Sequence, residues 1–294
     1  MTGELLVYID GKYYPKSQAK VSVYDHGFLY GDGVFEGIRE YNGLVFKLKD
    51  HIDRLYRSAH AIMLKIPLAK EEMIKAVLET LRRNSLKDSY IRLVVSRGVG
   101  DLGLDPRKCP QPTIVIITDT ISIRAGNATE VGITTMFSWV RRNTVDSTSA
   151  EVKSLNYLNS VLAKIEANAC GVDEALCLEN NGCVAEGVGE NVFIVKKGEL
   201  FTPPSSTGAL AGITAEVVAQ LAATLRIKLT VTNLTPFMVF TADEAFFTGT
   251  AMELVPIREV NKRQIGEGKP GPITKKLMAE FRKVIEDPSQ GAKV

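Results

Sequence analysis

Lys153 sits in "SAEVKSLNYLNSVLAKIEANACG" (residues 149–171), ahead of Leu155, Leu158, Val161, Leu162, Ile165 and Ala169, which recur at the spacing of one helical face. The spacing predicts a helix from Leu155, capped by Ser154 or Asn156 and ended by Gly171. Lys153 then falls at or just before the first turn, where the helix dipole favours anions over cations. A surface lysine sits better at the other end. A lysine amine that can lose its proton has another use, because it attacks carbonyl compounds to form Schiff bases.

Four other stretches carry residues of the same chemical interest. In "AEGVGENVFIV", Glu186 and Glu190 flank two glycines at the mouth of an apolar strand. Alone they read as a turn with solvated carboxylates. In "ALAGITAEVVAQL", Gly212, Ile213 and Thr214 stand where a helix begins, offering free backbone N–H groups and a hydroxyl to an anion, most simply a phosphate. The plainer reading is a threonine N-cap. "FFTGTAMELVPI" gives a second hydroxyl-rich bend at Thr248-Gly249-Thr250, which alone is a tight β-turn. Arg54 in "HIDRLYRSA" lies on an amphipathic pattern and alone is surface charge.

These residues need elements to position them. "LLVYIDGKYY" and "LVFKLKD", with Asp-Gly and Asn-Gly turns, predict antiparallel hairpins. "KDHIDRLYRSAHAIML" and "AKEEMIKAVLETLRRNSL" carry helical periodicity, and "SYIRLVVSRGV" and "QPTIVIITDTI" read as strands. Small polar residues in "SIRAGNATE" mark a linker, so domains at 1–120 and 132–294 joined by a loop at 121–131 are expected. Beyond it come the strand "VGITTMFSWV", the Lys153 helix, strands through "EALCLENNGCVAEGVGENVFIVKKGELFTP", the helix "GITAEVVAQLAATL", two strands around the bend in "EAFFTGTAMELVPIREV", and a closing helix "PITKKLMAEFRKVIED". The fold class is mixed α+β in two domains.

Composition narrows the function. A net charge of only +2 over 294 residues gives no field for nucleic acid or an anionic membrane. No apolar run is long enough to span a bilayer, the N-terminus lacks a secretory pattern, and a cytoplasmic protein with reduced, mostly buried thiols at Cys109, Cys170, Cys177 and Cys183 is expected. No cysteine or histidine spacing suggests a metal, and His26, His51 and His60 read as structural or surface residues. "GVGDLG" at 98–103 imitates a dinucleotide fingerprint, but the proline-rich "LDPRKCPQP" that follows forbids the helix such a site requires. It reads as a loop covering something else.

Taken together, a lysine amine, an acidic residue, two phosphate-grade backbone sites and an arginine suit pyridoxal 5′-phosphate. Its ring nitrogen wants an acidic partner, and its phosphate wants helix N-terminal amides, hydroxyls and a guanidinium. The chain resembles the fold-type IV (class IV) aminotransferases, most nearly those for branched-chain amino acids. The likeness runs through "DHGFLYGDGVFEGIR", "HIDRLYRSA", "EVKSLNYLNSVLAKIEA", "EGVGENVF", "LFTPP", "GITAEVV", "FFTGTAMELVPI" and "GPITKKL". It implies a small N-terminal and a larger C-terminal α/β domain, and a homodimer or higher homo-oligomer with active sites at the subunit interface. It also implies that Lys153 makes the covalent link to the cofactor and carries the proton between Cα and C4′. By the same carry-over Glu186 pairs with the pyridine nitrogen, Tyr157 bonds the phenolic oxygen and Leu210 packs on the ring. Arg54, Gly212, Ile213, Thr214 and Thr250 hold the phosphate. Phe35, Gly37, Arg39, Tyr90, Arg92, Thr250 and Ala251 line the substrate pocket, with Tyr30 and Leu104 reaching it from a second subunit.

The implied reaction is transamination of branched-chain L-amino acids with 2-oxoglutarate, giving 2-oxo acids and L-glutamate. Arg39 and Arg92 are the candidates for the γ-carboxylate, or else structural ion-pair partners. D-amino-acid transaminases, (R)-amine transaminases and aminodeoxychorismate lyase share these motifs. Here Pro106–Arg107 lacks the following histidine of the D-specific pattern, and "FEGIR" has no threonine after its glutamate, unlike the lyase. A phosphate-binding protein without catalysis would keep the glycine loops but have no use for Lys153 with Glu186. The chain departs from well-known bacterial relatives in two places. "PTIVIITDTISIRAGNATE" lacks their pocket aromatics, and Lys153 and Tyr157 stand one residue closer than in some of them.

Overall fold

The computed structural model describes residues 4–120 and 127–294. Residues 121–126 of the expected linker lie outside the described residues. The chain divides into two compact units: Met1–Ile121 with Val152–Asn156 and Ile285–Val294, and Ser122–Glu151 with Tyr157–Val284. The path is therefore less simple than a single passage at 121–131. The segment carrying Lys153 and the C-terminal strand both return to the first unit.

In the first unit, β1 (Leu6–Ile9) and β2 (Lys12–Pro15) form a hairpin turned by Asp10 and Gly11. Both turn residues have positive φ (47° and 86°), as a type I′ turn demands. Next come α1 (His26–Tyr30), β3 (Gly33–Tyr41) and β4 (Leu44–Phe46), the strands joined by Asn42-Gly43 in the same conformation. Then follow α2 (Leu48–Ala61), α3 (Lys70–Asn84), β5 (Ser89–Ser96) and β6 (Thr113–Thr120). The antiparallel sheet runs Gly291–Lys293, β4, β3, β5, β6, β1, β2. Leu48, Ile52 and Leu55 of α2 and Met73, Val77 and Leu81 of α3 share a core with Val34, Ile38, Ile91, Leu93 and Val95. Strand alternation then turns Phe35, Gly37 and Arg39 to the opposite face of β3.

The second unit holds α4 (Ala128–Val131), β7 (Ile133–Arg141), α5 (Leu158–Ala169), β8 (Glu174–Leu178), β9 (Val184–Gly187), β10 (Asn191–Lys196), β11 (Glu199–Thr202), α6 (Ile213–Thr224), β12 (Leu229–Val231), α7 (Pro236–Phe240), β13 (Glu244–Gly249), β14 (Glu253–Val260), β15 (Arg263–Gln264) and α8 (Pro272–Glu286). Its mixed sheet runs β12-β11-β10-β13-β14-β7-β8-β9, with β15 on β14.

The expectation for the Lys153 helix needs correction. α5 starts at Leu158, with Tyr157 at the N-cap position but no side-chain capping hydrogen bond there, so Lys153 precedes the helix rather than heading it. The apolar stripe also faces outward: Leu158 is 69 % exposed, and Val161, Leu162 and Ile165 are exposed too. The buried face is Ser160, Ala163 and Ala167. Their small side chains let the helix lie close on Ala175 and Cys177 of the sheet. Gly171, at φ +68°, ends the helix as expected.

Candidate active site

In the first unit, Lys153 lies in an extended segment laid along the first residues of β3, where β4 does not reach. The Phe35 N–H donates to the Lys153 carbonyl (3.0 Å), the Leu155 N–H to the Gly33 carbonyl (2.9 Å), and the Lys153 N–H to Ser58 Oγ on α2 (3.2 Å). A Cβ on Gly33 would come within 2.7 Å of both Leu155 Cδ1 and the Val95 carbonyl, so this close approach requires glycine. The backbone of the lysine is thus fixed, and its Nζ stands 4.7 Å from the centre of the Phe35 ring.

The Arg92 guanidinium lies 4.6 Å from the same ring. Arg92 has no carboxylate partner among the described residues, which argues against a structural ion pair. The Tyr90 hydroxyl fills the place of a side chain at Gly37, where a Cβ would be 1.8 Å away. Arg39 stacks over Tyr41 at 4.8 Å. Phe35, Gly37, Arg39, Tyr90 and Arg92 therefore form one wall, as β3–β5 register dictates.

Arg54 corrects the reading of its stretch as surface charge: it is buried and forks onto Glu36. Its Nε donates to Oε1 (2.7 Å) and Nη2 to Oε2 (2.8 Å), and His51 Nδ1 meets the same carboxylate at 2.7 Å. Burial alone would push the Glu36 carboxyl up, but the Arg54 guanidinium and His51 outweigh it and hold the group at about 2. Burial pushes the His51 pKa down, so the imidazole is neutral and donates its Nδ1 proton to Glu36. His51, Arg54 and Ser58 share one face of α2 because they are three and four residues apart.

Tyr30 and Leu104 belong to a neighbouring cluster. Asp25 caps α1 by accepting from the Gly27 N–H (2.8 Å) and from Ser96 Oγ (2.8 Å), His26 Nε2 bonds the Asp101 carbonyl (2.8 Å), and the Tyr30 hydroxyl donates to the Leu102 carbonyl. The "GVGDLG" loop packs on α1 in this way. It leads only to a short 3₁₀ turn at Pro106–Lys108, as its prolines require, and Leu104 is exposed at its tip.

In the second unit, the buried carboxylate of Glu186 is held by Arg142 Nη2 (2.8 Å) and by the Leu210 N–H (2.9 Å). Arg142 also donates to Ser160 Oγ (2.8 Å) and to the carbonyls of Gly187 (2.6 Å) and Val188 (2.9 Å), which fixes its position. Glu190 differs: burial, and then Glu174, push its carboxyl up to about 7. Of the two glutamates flanking the glycines, Glu186 is the one paired with a cation.

Gly212 is the N-cap of α6 and offers no side chain to the first-turn N–H groups, so Thr214 is not the N-cap. A Cβ at Gly212 would lie 1.9 Å from Asn191 Oδ1, and Asn191 Nδ2 donates to the Leu210 carbonyl (2.7 Å). Asn191 faces Thr248 in the β10–β13 ladder, and Thr248 Oγ1 is buried with no hydrogen-bond partner among the described residues. The turn after Gly249 carries Thr250 and Ala251. An uncapped helix N-terminus, a cradle closed to side chains and an orphaned hydroxyl converge as an anion site of the kind a phosphate fills. Tyr157 is half-buried just before α5.

Sequence reasoning did not single out Glu36, Ser58 or Arg142, and His51, read there as a structural or surface residue, is buried on Glu36. Glu36 is embedded in the apolar run "GVFEGIRE", and a charge within a buried strand was the available signal. No group of three or more His, Cys, Asp or Glu among the described residues could hold a metal. The four cysteines are free, and only Cys177 is buried, its thiol pushed up to about 11 by desolvation, so the expectation of mostly buried thiols was too strong. No described helix is long and apolar enough to cross a membrane.

The profile of amino-transferase class IV matches residues 33–260. A Methanocaldococcus jannaschii protein, named there as a candidate branched-chain-amino-acid aminotransferase, is 56% identical over 95% of this chain and 96% of its own. The solved branched-chain amino acid aminotransferase of Escherichia coli superposes with a TM-score of 0.93 at 35% identity, covering 95% of this chain and 94% of that one. The T.th. branched-chain amino acid aminotransferase, solved with pyridoxamine 5′-phosphate, gives 0.93 at 34% identity, covering 99% and 97%. Its complex with N-(5′-phosphopyridoxyl)-L-glutamate gives 0.91, also at 34% identity, covering 98% and 95%. With one antiparallel and one mixed sheet of this topology and a family match over most of its length, the chain belongs to the class IV aminotransferases.

Proposed function

We propose that the protein is a branched-chain amino-acid aminotransferase that uses pyridoxal 5′-phosphate and passes amino groups from branched-chain L-amino acids to 2-oxoglutarate, forming L-glutamate. The observation that carries this reading is the pair of basic groups over one Phe35 ring: an amine fixed by its backbone and an arginine without a carboxylate partner among the described residues. An apolar ring edged by an arginine accepts both an aliphatic side chain and a γ-carboxylate. The relatives named above, and the phosphopyridoxyl-glutamate bound to one of them, support the same choice.

When bound, the cofactor supplies an electron sink for the negative charge that develops at the substrate Cα. Lys153 would hold it through its amine, and the same amine would carry the proton to and from the substrate Cα. Glu186, paired with Arg142, would face the ring nitrogen. Tyr157 bonds the phenolic oxygen and Leu210 covers the ring. Arg54, the Ile213 and Thr214 amides behind Gly212, and Thr250 hold the phosphate. Phe35, Gly37, Arg39, Tyr90, Arg92, Thr250 and Ala251 position the substrate.

The same reading takes 1–120 and 132–294 as its two domains with 121–131 between them, the cytoplasm as its compartment, and a homodimer in which Tyr30 and Leu104 serve the partner's pocket. Exposed Phe28, Leu102 and Leu104 around α1, and exposed Trp139 beside the outward face of α5, supply apolar surface for that contact. The test is the visible spectrum of the purified protein with L-leucine, D-alanine and (R)-phenylethylamine added separately. Conversion of the cofactor band by L-leucine, reversed by 2-oxoglutarate, is expected. Response to D-alanine or the amine alone moves the substrate class, and no cofactor band after supplying pyridoxal 5′-phosphate overturns the reading.

A further inference from the structure

Glu36 and His51 have no role in the reaction as described, yet both are fully buried, His51 against the Glu36 carboxylate and Glu36 against Arg54. A carboxylate beneath a sheet is costly unless something in the fold needs it. Glu36 cannot act on substrate, because strand alternation turns it to the α2 side of β3, away from Phe35 and Gly37. It is the centre of a three-residue relay. The His51 imidazole donates to one oxygen (2.7 Å), and the Arg54 guanidinium takes both oxygens through Nε (2.7 Å) and Nη2 (2.8 Å). A bidentate fork fixes the plane of a guanidinium as well as its position. The same helix face carries Ser58, which holds the Lys153 N–H (3.2 Å), so one rigid surface of α2 sets both the arginine and the lysine backbone.

We infer that Glu36 and His51 are positioning residues for anion binding: together they orient the Arg54 guanidinium for the cofactor phosphate, with His51 locking the carboxylate that locks the arginine. This rests on the proposed role of Arg54 as a phosphate contact. The opposing physical effect is charge, since Glu36 places an anion close to where another must bind. Orientation outweighs it only if the fork keeps the arginine from relaxing toward other partners.

The experiment measures the affinity of the apo-protein for pyridoxal 5′-phosphate and for pyridoxal, which lacks the phosphate, by absorbance titration. R54Q should weaken binding of pyridoxal 5′-phosphate and leave pyridoxal nearly unchanged; equal affinities in wild type and R54Q would sink the underlying reading instead. Given R54Q weakening, E36Q should raise the dissociation constant for pyridoxal 5′-phosphate by about tenfold and that for pyridoxal by less than about twofold. The effect should be small in the R54Q background. H51A should weaken binding in the same phosphate-selective way, and H51N, which keeps a donor near Nδ1, should restore it. H51A leaves no buried ion unpaired, so it decides the matter even if E36Q fails to fold. Unchanged or tighter binding of pyridoxal 5′-phosphate by H51A, or by folded E36Q, overturns the inference, as does equal weakening toward both ligands.

Discussion

At the residue scale the chain separates the group that reacts from the groups that hold it. The Lys153 segment is fixed by three hydrogen bonds of its backbone to β3 and α2, none of them through the lysine side chain, so Lys153→Ala should leave the thermal unfolding temperature within a few degrees of wild type. Turnover should fall by at least about a thousandfold, since in the proposed mechanism one group supplies both the covalent link and the proton transfer. Residual activity near wild type in a leucine–2-oxoglutarate assay would remove Lys153 from the mechanism. Glu186→Gln keeps an acceptor for the Leu210 N–H but loses the charge facing Arg142. The cofactor should still bind, and kcat should drop by about a hundredfold, measured by single-turnover kinetics.

At the element scale, loop and helix surfaces give two separable tests. Gly98 has φ +91°, and a Cβ there would lie 1.8 Å from the Gln111 carbonyl. Gly98→Ala should therefore cost more than about 2 kcal/mol in denaturant unfolding, combining backbone strain with a clash against main chain. A cost below about 0.5 kcal/mol would show that the loop relaxes freely. The outward stripe of α5 predicts the opposite pattern. Leu162→Asp touches an exposed position, so the fold should stay intact while self-association weakens, measured by sedimentation across a concentration series. An unchanged sedimentation coefficient at every concentration would separate that stripe from the subunit contact.

At the scale of the whole molecule, acid stability follows from the buried network. The Glu36 carboxyl is held at about 2, below its unfolded value of 4.5, so its stabilisation is present above 4.5 and is lost as pH falls toward 2. For so buried a group this amounts to about 3 kcal/mol. His51 acts in the same direction: its pKa is lowered, so its contribution is present above the ordinary value of 6.5 and declines below it as the unfolded chain takes up a proton. Glu190 opposes them, because a carboxyl raised to about 7 favours the fold at low pH and loses that contribution as pH rises through 7. Denaturant unfolding at pH 7, 5 and 3 should show a net loss on acidification, and Glu36→Gln should flatten the profile between 5 and 3. A wild-type profile flat down to pH 3 would contradict the network.

Much of this protein is legible in its sequence because local physics fixes it. Asp10-Gly11 and Asn42-Gly43 can scarcely do anything but turn hairpins, since both positions need positive φ. The prolines after "GVGDLG" rule out a helix whatever surrounds them, and the spacing in α2 and α3 faces Ile52, Leu55, Val77 and Leu81 inward. The residue types at Lys153, Glu186, Gly212 and Thr214 likewise limit the chemistry, because few ligands want an amine, an acid and bare helix amides together. What the sequence left open was decided by packing between distant segments. Apolar periodicity in α5 marks a stripe but not the side it faces, and Ala163 and Ala167 took the buried side because only small residues allow so close an approach. Lys153 sits on β3 rather than on a helix because the Phe35 N–H donates to its carbonyl and its own N–H donates to Ser58, the latter across more than ninety positions. Glu36 and Arg54 are 18 residues apart and look unrelated in the sequence. Only the approach of α2 to β3 buries both, and burial turns two ordinary charges into one fixed ion pair.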